Sequence, residues 1–396
     1  MNLHTPLTLA TPTLLLAGFL VGCLNDSGSG KGPGEPPEEN PPGQDSANLV
    51  SVWHNVGVAG FSAGTATTPS LVLGADGNPF VVFQDGANGN KATVMRWDGS
   101  AWAHVGNAGF SEGAVNTPSL ALDASGNPVV AFRDDLNGSW RITAMRWSGS
   151  QWQTIGNSRF TGLALSPTLA LDAGGNPVVA FSDVENLSRA TVVRWSGTQW
   201  QNVGSAGFTQ GSVASPSLAI DAGGNPVVAF SDAWINDEIT VMRWSGSAWT
   251  PIGNPRFTAG AAGTPSLKLD ANNHPVVAYR DVANGHKASV MRWNGNTWVY
   301  VGTAGFTAGR ANTPSLALDV DGNPVVAFQD VANGNKASVM RWNGSAWDYV
   351  GDTAGISGGG VAHVSLALNA QGKPLVAYRD SANGNKATVK RYAPAP

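Results

Sequence analysis

An all-β chain closed into a ring is what this sequence predicts, on three observations. A tryptophan returns at Trp53, Trp102, Trp152, Trp200, Trp249, Trp298 and Trp347, with gaps of 49, 50, 48, 49, 49 and 49 residues. Each interval carries the same four short runs of β-forming residues, separated by Gly, Asn, Asp and Pro. A run of the fourth kind also stands alone before the first interval, and the last interval lacks one. A period of roughly 20–50 residues marks a solenoid, propeller or array, because one unit cannot bury its own apolar faces and must stack on copies. Four antiparallel strands followed by a Gly-rich connection describe a propeller blade. The predicted architecture is therefore a seven-bladed β-propeller of four-stranded antiparallel blades.

The sixth copy shows the elements in order. Ser315–Asp319 (SLALD) alternates, with Leu316 and Leu318 on one side. Pro324–Asp330 (PVVAFQD) and Lys336–Trp342 (KASVMRW) are rich in β-branched and aromatic residues, and Ala346–Val350 (AWDYV) is the fourth run. No run continues at a 3.6-residue period far enough to argue for a helix. Asn343-Gly344 between apolar runs is a strong hairpin signal. Read as a two-residue turn, it pairs Trp342 with Ser345 and Met340 with Trp347, which places Met340, Trp342 and Trp347 on one face. The same trio recurs as Met95, Trp97 and Trp102. Its expected role is packing between blades, with a stacking platform for a ligand as the alternative.

Counting strands predicts how the ring closes. The first element is an outer strand, Trp53–Gly57, and the last is a third strand, Lys386–Tyr392. Pairing the two completes the seventh blade and leaves no blade edge open.

Alternation also sorts the loops. The first-to-second and third-to-fourth turns share one end and are short in every copy. The second-to-third loops and the long inter-blade loops share the other end, and long loops on a rigid scaffold are where binding usually resides. Asp85, Asp134, Asp183, Asp232, Asp281, Asp330 and Asp380 close the second strand at that end, and an arginine, Arg96 to Arg391, recurs in every third strand. Sevenfold repetition argues for a structural task such as holding a loop or bridging blades, with a repeated ligand pocket as the functional alternative. Departures from the repeat point elsewhere. Where most copies read ANGNK, the second reads Leu136-Asn137-Gly138-Ser139-Trp140-Arg141 and the fourth Ala233-Trp234-Ile235-Asn236-Asp237-Glu238. Trp140 and Trp234 are thus indoles outside the core pattern, able to stack on a sugar, to anchor a protein, or to tuck against a neighbouring loop. The Asp319–Asn323 turn begins like a calcium loop but lacks the further carboxylates of an oxygen cage, so Asp319 is expected to bond its own turn.

Composition bounds the partners. The chain has 23 basic and 27 acidic residues, and the excess lies in residues 25–48, which carry five acids against Lys31. The repeats are neutral and show no basic stripe, so nucleic acid is not an expected partner. The ring holds three glutamates, Glu112, Glu185 and Glu238, in different copies, and its histidines show no metal-ligand spacing. No cofactor or metal is expected, and neither is a disulfide, since Cys23 is the sole cysteine.

Residues 7–22 are mostly apolar and end in Leu20-Val21-Gly22 before Cys23. This resembles a bacterial lipoprotein signal peptide. The resemblance implies cleavage before Cys23, diacylglycerol on its sulfur, and, with Leu24 following, an outer-membrane or surface location in the cell envelope. Residues 23–48 read as the lipidated Cys and a flexible Gly/Pro/Glu linker, and 49–396 as the propeller. The repeat tail Arg-Trp-Asn-Gly-Ser-Ala-Trp-x-x-Val-Gly resembles the blades of seven-bladed bacterial lectins of the fucose-binding PLL type, over about a quarter of each repeat. The Asp-x-x-Gly-Asn-Pro turn resembles the Asp-box hairpin of sialidases. The marks of WD40 and kelch blades are absent. The expected function is a non-catalytic, monomeric binding module on a membrane lipid anchor, taking a glycan or protein on its long-loop face. A glycoside-acting hydrolase or lyase on the same ring is the alternative, and a purely structural envelope scaffold is the third.

Overall fold

The computed structural model describes residues 51–394, and the expected signal peptide, Cys23 and linker lie outside them. Seven four-stranded antiparallel sheets follow one another around a ring. Blade one consists of Ala66–Leu73, Pro79–Asp85, Lys91–Trp97 and Trp102–His104. The same four strands recur through blade six, which runs from Ala311–Leu318 to Trp347–Tyr349. Blade seven has three consecutive strands, Val361–Leu368, Pro374–Asp380 and Lys386–Pro394, and its fourth is Ser51–Asn55 from the other end of the repeats. That strand pairs antiparallel with Lys386–Pro394, Trp53 opposite Tyr392 and Asn55 opposite Lys390. The ring closes as its element count demands.

The second strand of each blade reads as a continuous apolar run because both its faces are covered. In Pro324–Asp330 every residue but Gln329 is buried. The core is divided into layers between facing blades, as where Val82 and Val94 of blade one meet Leu120, Val130 and Phe132 of blade two. Burial of apolar surface at roughly 25 cal/mol per Å² makes these layers the main stabilising term.

The recurrent tryptophans join blade to blade. Trp102 donates its Nε1–H to the carbonyl of Val56 at 2.8 Å and stacks on Phe61 with centroids 3.9 Å apart. Trp97 lies over Gly57, where a Cβ would come within 2.4 Å of its Cζ3, and Gly57 has φ +68°. Gly after Val is therefore demanded twice, by a left-handed backbone and by an indole in the place of its side chain. Six of the seven repeated arginines also cross between blades, while Arg96 pairs with Asp76 of its own blade. Arg146 donates to the carbonyl of Gly175 in blade three, and Arg391 to that of Gly77 in blade one, at 3.4 Å.

Two expectations about strand detail are corrected. Trp342 pairs with Trp347, not Ser345, and Met340 with Tyr349, not Trp347. The turn is a four-residue loop because the Asn343 Oδ1 accepts from the backbone N–H of both Ser345 and Ala346 at 2.8 Å. The trio still shares one face, with the two indoles directly opposed and 5.9 Å apart. The innermost strand begins at Ala311, not Ser315, and continues through a register shift between Asn312 and Ser315. Thr313 there has φ +45°, and a residue of the same positive φ sits at Thr68, Thr117, Ser166, Ser215, Thr264 and His363. A bulge inverts the alternation, which hides the first half of the strand from a period-two reading.

Candidate functional site

The long-loop end is built on the seven aspartates. Each side chain is turned into the loop framework, and residue exposure runs from 1% at Asp85, Asp134 and Asp330 to 8% at Asp232. Asp85 accepts from the backbone N–H of Ala87 at 3.0 Å, from Asn88 at 2.9 Å and from the Thr93 hydroxyl at 2.8 Å. Asp183, Asp281, Asp330 and Asp380 accept likewise from an Asn three residues on and from a Thr or Ser of the third strand. Asp134 keeps the threonine, Thr143, and the N–H of Leu136, both at 3.1 Å. Burial raises its pKa, opposed by the Leu136 N–H, the Thr143 hydroxyl and the Arg159 charge. A carboxylate accepting several bonds at a strand end turns the following loop.

On this framework stand the two indoles outside the repeat. Trp140 is 44% exposed and Trp234 61%. The Arg133 guanidinium sits 5.0 Å from the centroid of the Trp140 ring, a cation–π arrangement that holds the indole open to solvent on one side. Trp234 rests on Gly211 of the neighbouring inter-blade loop, where a Cβ would meet the Trp234 Cβ at 2.4 Å. They belong to blades two and four. Both offer a large amphipathic surface; the position of Trp234 is Ala in four other copies.

The same two blades carry a second departure that sequence reading passed over. In the inter-blade loops, Gly60, Gly109, Gly207, Gly305 and Gly355 share a positive φ with Arg159 and Arg256, both at +56°. At Gly109 an added Cβ would lie 2.8 Å from the Asn88 Cβ, so the glycine is required by the Asn that serves Asp85. In blade four, where Ile235 stands in place of that Asn, Arg256 occupies the slot and takes up the aspartate, whereas blade two keeps Asn137 and its Arg159 donates to the Ser139 hydroxyl. Arg256 Nη1 lies 3.6 Å from Asp232 Oδ2. Loss of Asn and gain of Arg in the same copy is the signal that could have found Arg256.

No protein-family model matches the chain, and no curated protein matches it. Solved structures do. An ulvan lyase of polysaccharide lyase family PL25 superposes with TM-score 0.57 at 13% identity, covering 85% of this chain and 96% of its own. The extracellular domain of a hybrid two-component system from B. thetaiotaomicron gives 0.54 at 10% identity, covering 86% of this chain and 40% of its own. The Aleuria aurantia lectin gives 0.44 at 17% identity, covering 70% and 96%. At such identities the likeness to the ulvan lyase and the two-component extracellular domain is one of fold, and the seven-bladed β-propeller is read from this chain's own sheets.

Proposed function

We propose that this propeller is a glycan-binding module, non-catalytic and held at the cell envelope by lipid on Cys23, with its ligand on the long-loop face. The observation that carries the reading is the pair of exposed indoles, Trp140 and Trp234, raised on a rigid seven-bladed ring. An indole presents a flat apolar surface with a polar edge, which suits the C–H face of a sugar. Fixed strands beneath the loops hold that surface in place, so little ordering entropy opposes binding. Six of the seven aspartates at the same end, all but Asp232, already accept bonds within their own blade, which favours binding over acid–base chemistry there. A protein ligand would meet the same indoles, and a glycan array separates the two.

On such an array, probed with the full chain, saturable binding to a subset of glycans without shortened products is the expected result. Shortened products would favour a hydrolase or lyase instead, and an empty array a scaffold. Trp140→Ala and Trp234→Ala should each weaken binding by about 1–3 kcal/mol, while unfolding midpoints stay near that of the parent because neither ring is buried in a core layer. Unchanged affinity in both variants would remove the indoles from the site. Anchoring is tested separately: Cys23→Ser should leave the protein in the aqueous phase of a detergent partition. A variant that still partitions with the parent refutes the lipid anchor.

A further inference from the structure

Among the seven repeated aspartates, Asp232 has lost its usual donors. Ile235 stands three residues on, where five other copies place the donating Asn. Thr240 accepts from the backbone N–H of Arg256 at 2.9 Å as Thr93 does from that of Gly109 at 2.8 Å, but Thr93 also donates to Asp85 and Thr240 makes no such bond to Asp232. Asp232 Oδ1, like Asp330 Oδ1, is buried without a hydrogen-bond partner among the described residues. The Asp232 side chain, unlike that of Asp330, accepts from no Asn or hydroxyl at its other oxygen, which lies 3.6 Å from Arg256 Nη1. Leaving a buried carboxylate oxygen unpaired is costly, so an occupant that donates to it is the economical explanation.

This carboxylate lines a cavity of about 390 Å³, within the range of small-molecule sites. Met242, Pro251 and Pro255 give it apolar walls, and Asp232, Thr240 and Arg256 give it polar groups. The cavity is open partly because Pro251 occupies a position that is Tyr300 in blade five and Tyr349 in blade six. Tyr349 reaches far enough inward that its phenol is raised by burial and by the Asp330 carboxylate. The rim includes Gln210, the residue before Gly211, on which the exposed Trp234 rests.

We propose that blade four holds a single saccharide subsite, in which Asp232 accepts and Arg256 donates hydrogen bonds to adjacent hydroxyls of a neutral sugar ring. The inference rests on the glycan-binding reading and names where and how one ring is held. An acid and a base side by side, the only charged groups in the lining, suit a ligand that offers donors and acceptors together and carries no net charge. Apolar walls opposite them suit the C–H surface of the same ring. One such site per chain follows, because blade four alone combines the unpaired oxygen, the arginine and the proline.

The test titrates the full chain with the methyl α-glycosides of glucose, galactose, mannose and fucose, by calorimetry and saturation-transfer NMR. At least one is expected to bind with one equivalent per chain. Asp232→Asn should weaken it tenfold or more. Pro251→Tyr, which installs the residue blades five and six already carry, should do the same with an unchanged melting temperature, so the test survives if the aspartate variant fails to fold. Asn202→Tyr, the matching change in blade three, should leave affinity as it was. Binding that persists in Pro251→Tyr, or several equivalents per chain, overturns the subsite. Array binding lost in Trp140→Ala and Trp234→Ala but kept in Pro251→Tyr also overturns it while sparing the glycan reading. A parent chain that binds none of the four glycosides and nothing on the array overturns both.

Discussion

Deleting Ser51–Gly57 should convert one cooperative unfolding transition into a broad, shallow one and send the protein into soluble aggregates. Among the described residues Ser51–Asn55 is the strand that covers the outer edge of Lys386–Pro394, and five residue pairs are lost with it. An uncovered strand edge is a template for pairing with another chain. The seam is also where the ring has least to spare. Every other junction has a Trp pair and a Phe stacked on the second indole, whereas here Tyr392 replaces the first Trp and Ile356 replaces the Phe. What remains is the Trp53 Nε1–H donated to Val350 at 2.8 Å and the contact of its ring with Tyr392 at 5.5 Å. All of that departs with the strand. Urea denaturation followed by fluorescence and circular dichroism, with size-exclusion chromatography, checks this outcome. Coincident sharp transitions in a monomeric truncated chain would show that the ring does not depend on its closure.

The ring was legible because its evidence is periodic. Seven tryptophans at one spacing give the blade number, and an unmatched outer strand at Trp53 gives the seam. What the sequence left hidden depends on side chains acting on backbone. The turn after Trp342 was misread because Asn343 ties down two N–H groups and thereby lengthens the loop. The start of each innermost strand was missed because a residue at positive φ, Thr313 in blade six, breaks the alternation. On the long-loop face, Trp140 and Trp234 stood out as large residues in small-residue loops, and the structure leaves both exposed. Arg159 and Arg256 did not stand out, since each is one substitution inside a connection that reads as Gly-rich. For Arg256 the meaning lies in a coupled change across two loops: Ile235, in place of the Asn, vacates the room an arginine needs.

Trp347→Ala should destabilise the ring by about 3–5 kcal/mol, the usual cost of removing a well-packed Trp. The indole stacks on Phe306 at 3.9 Å, opposes Trp342 at 5.9 Å and donates to the Val301 carbonyl at 2.8 Å, so one truncation unpairs a stack, a cross-strand pair and a hydrogen bond between blades. The same junction can be attacked from the other side without removing any ring. At Gly302, φ is +75° and a Cβ would lie 2.6 Å from Trp342 Cζ3, whereas Gly322 has φ +76° and nothing within 4 Å. Gly322→Ala therefore reports the backbone term alone, roughly 1–2 kcal/mol. Gly302→Ala adds displacement of an indole that its neighbours hold in place, and overpacking of this kind costs a further 1–3 kcal/mol or so. Denaturant midpoints of the three variants should thus fall below the parent, with Gly322→Ala the mildest. If Gly302→Ala and Gly322→Ala proved equally stable, the indole would be free to move aside, and the tryptophan clamp would not be what holds one blade to the next.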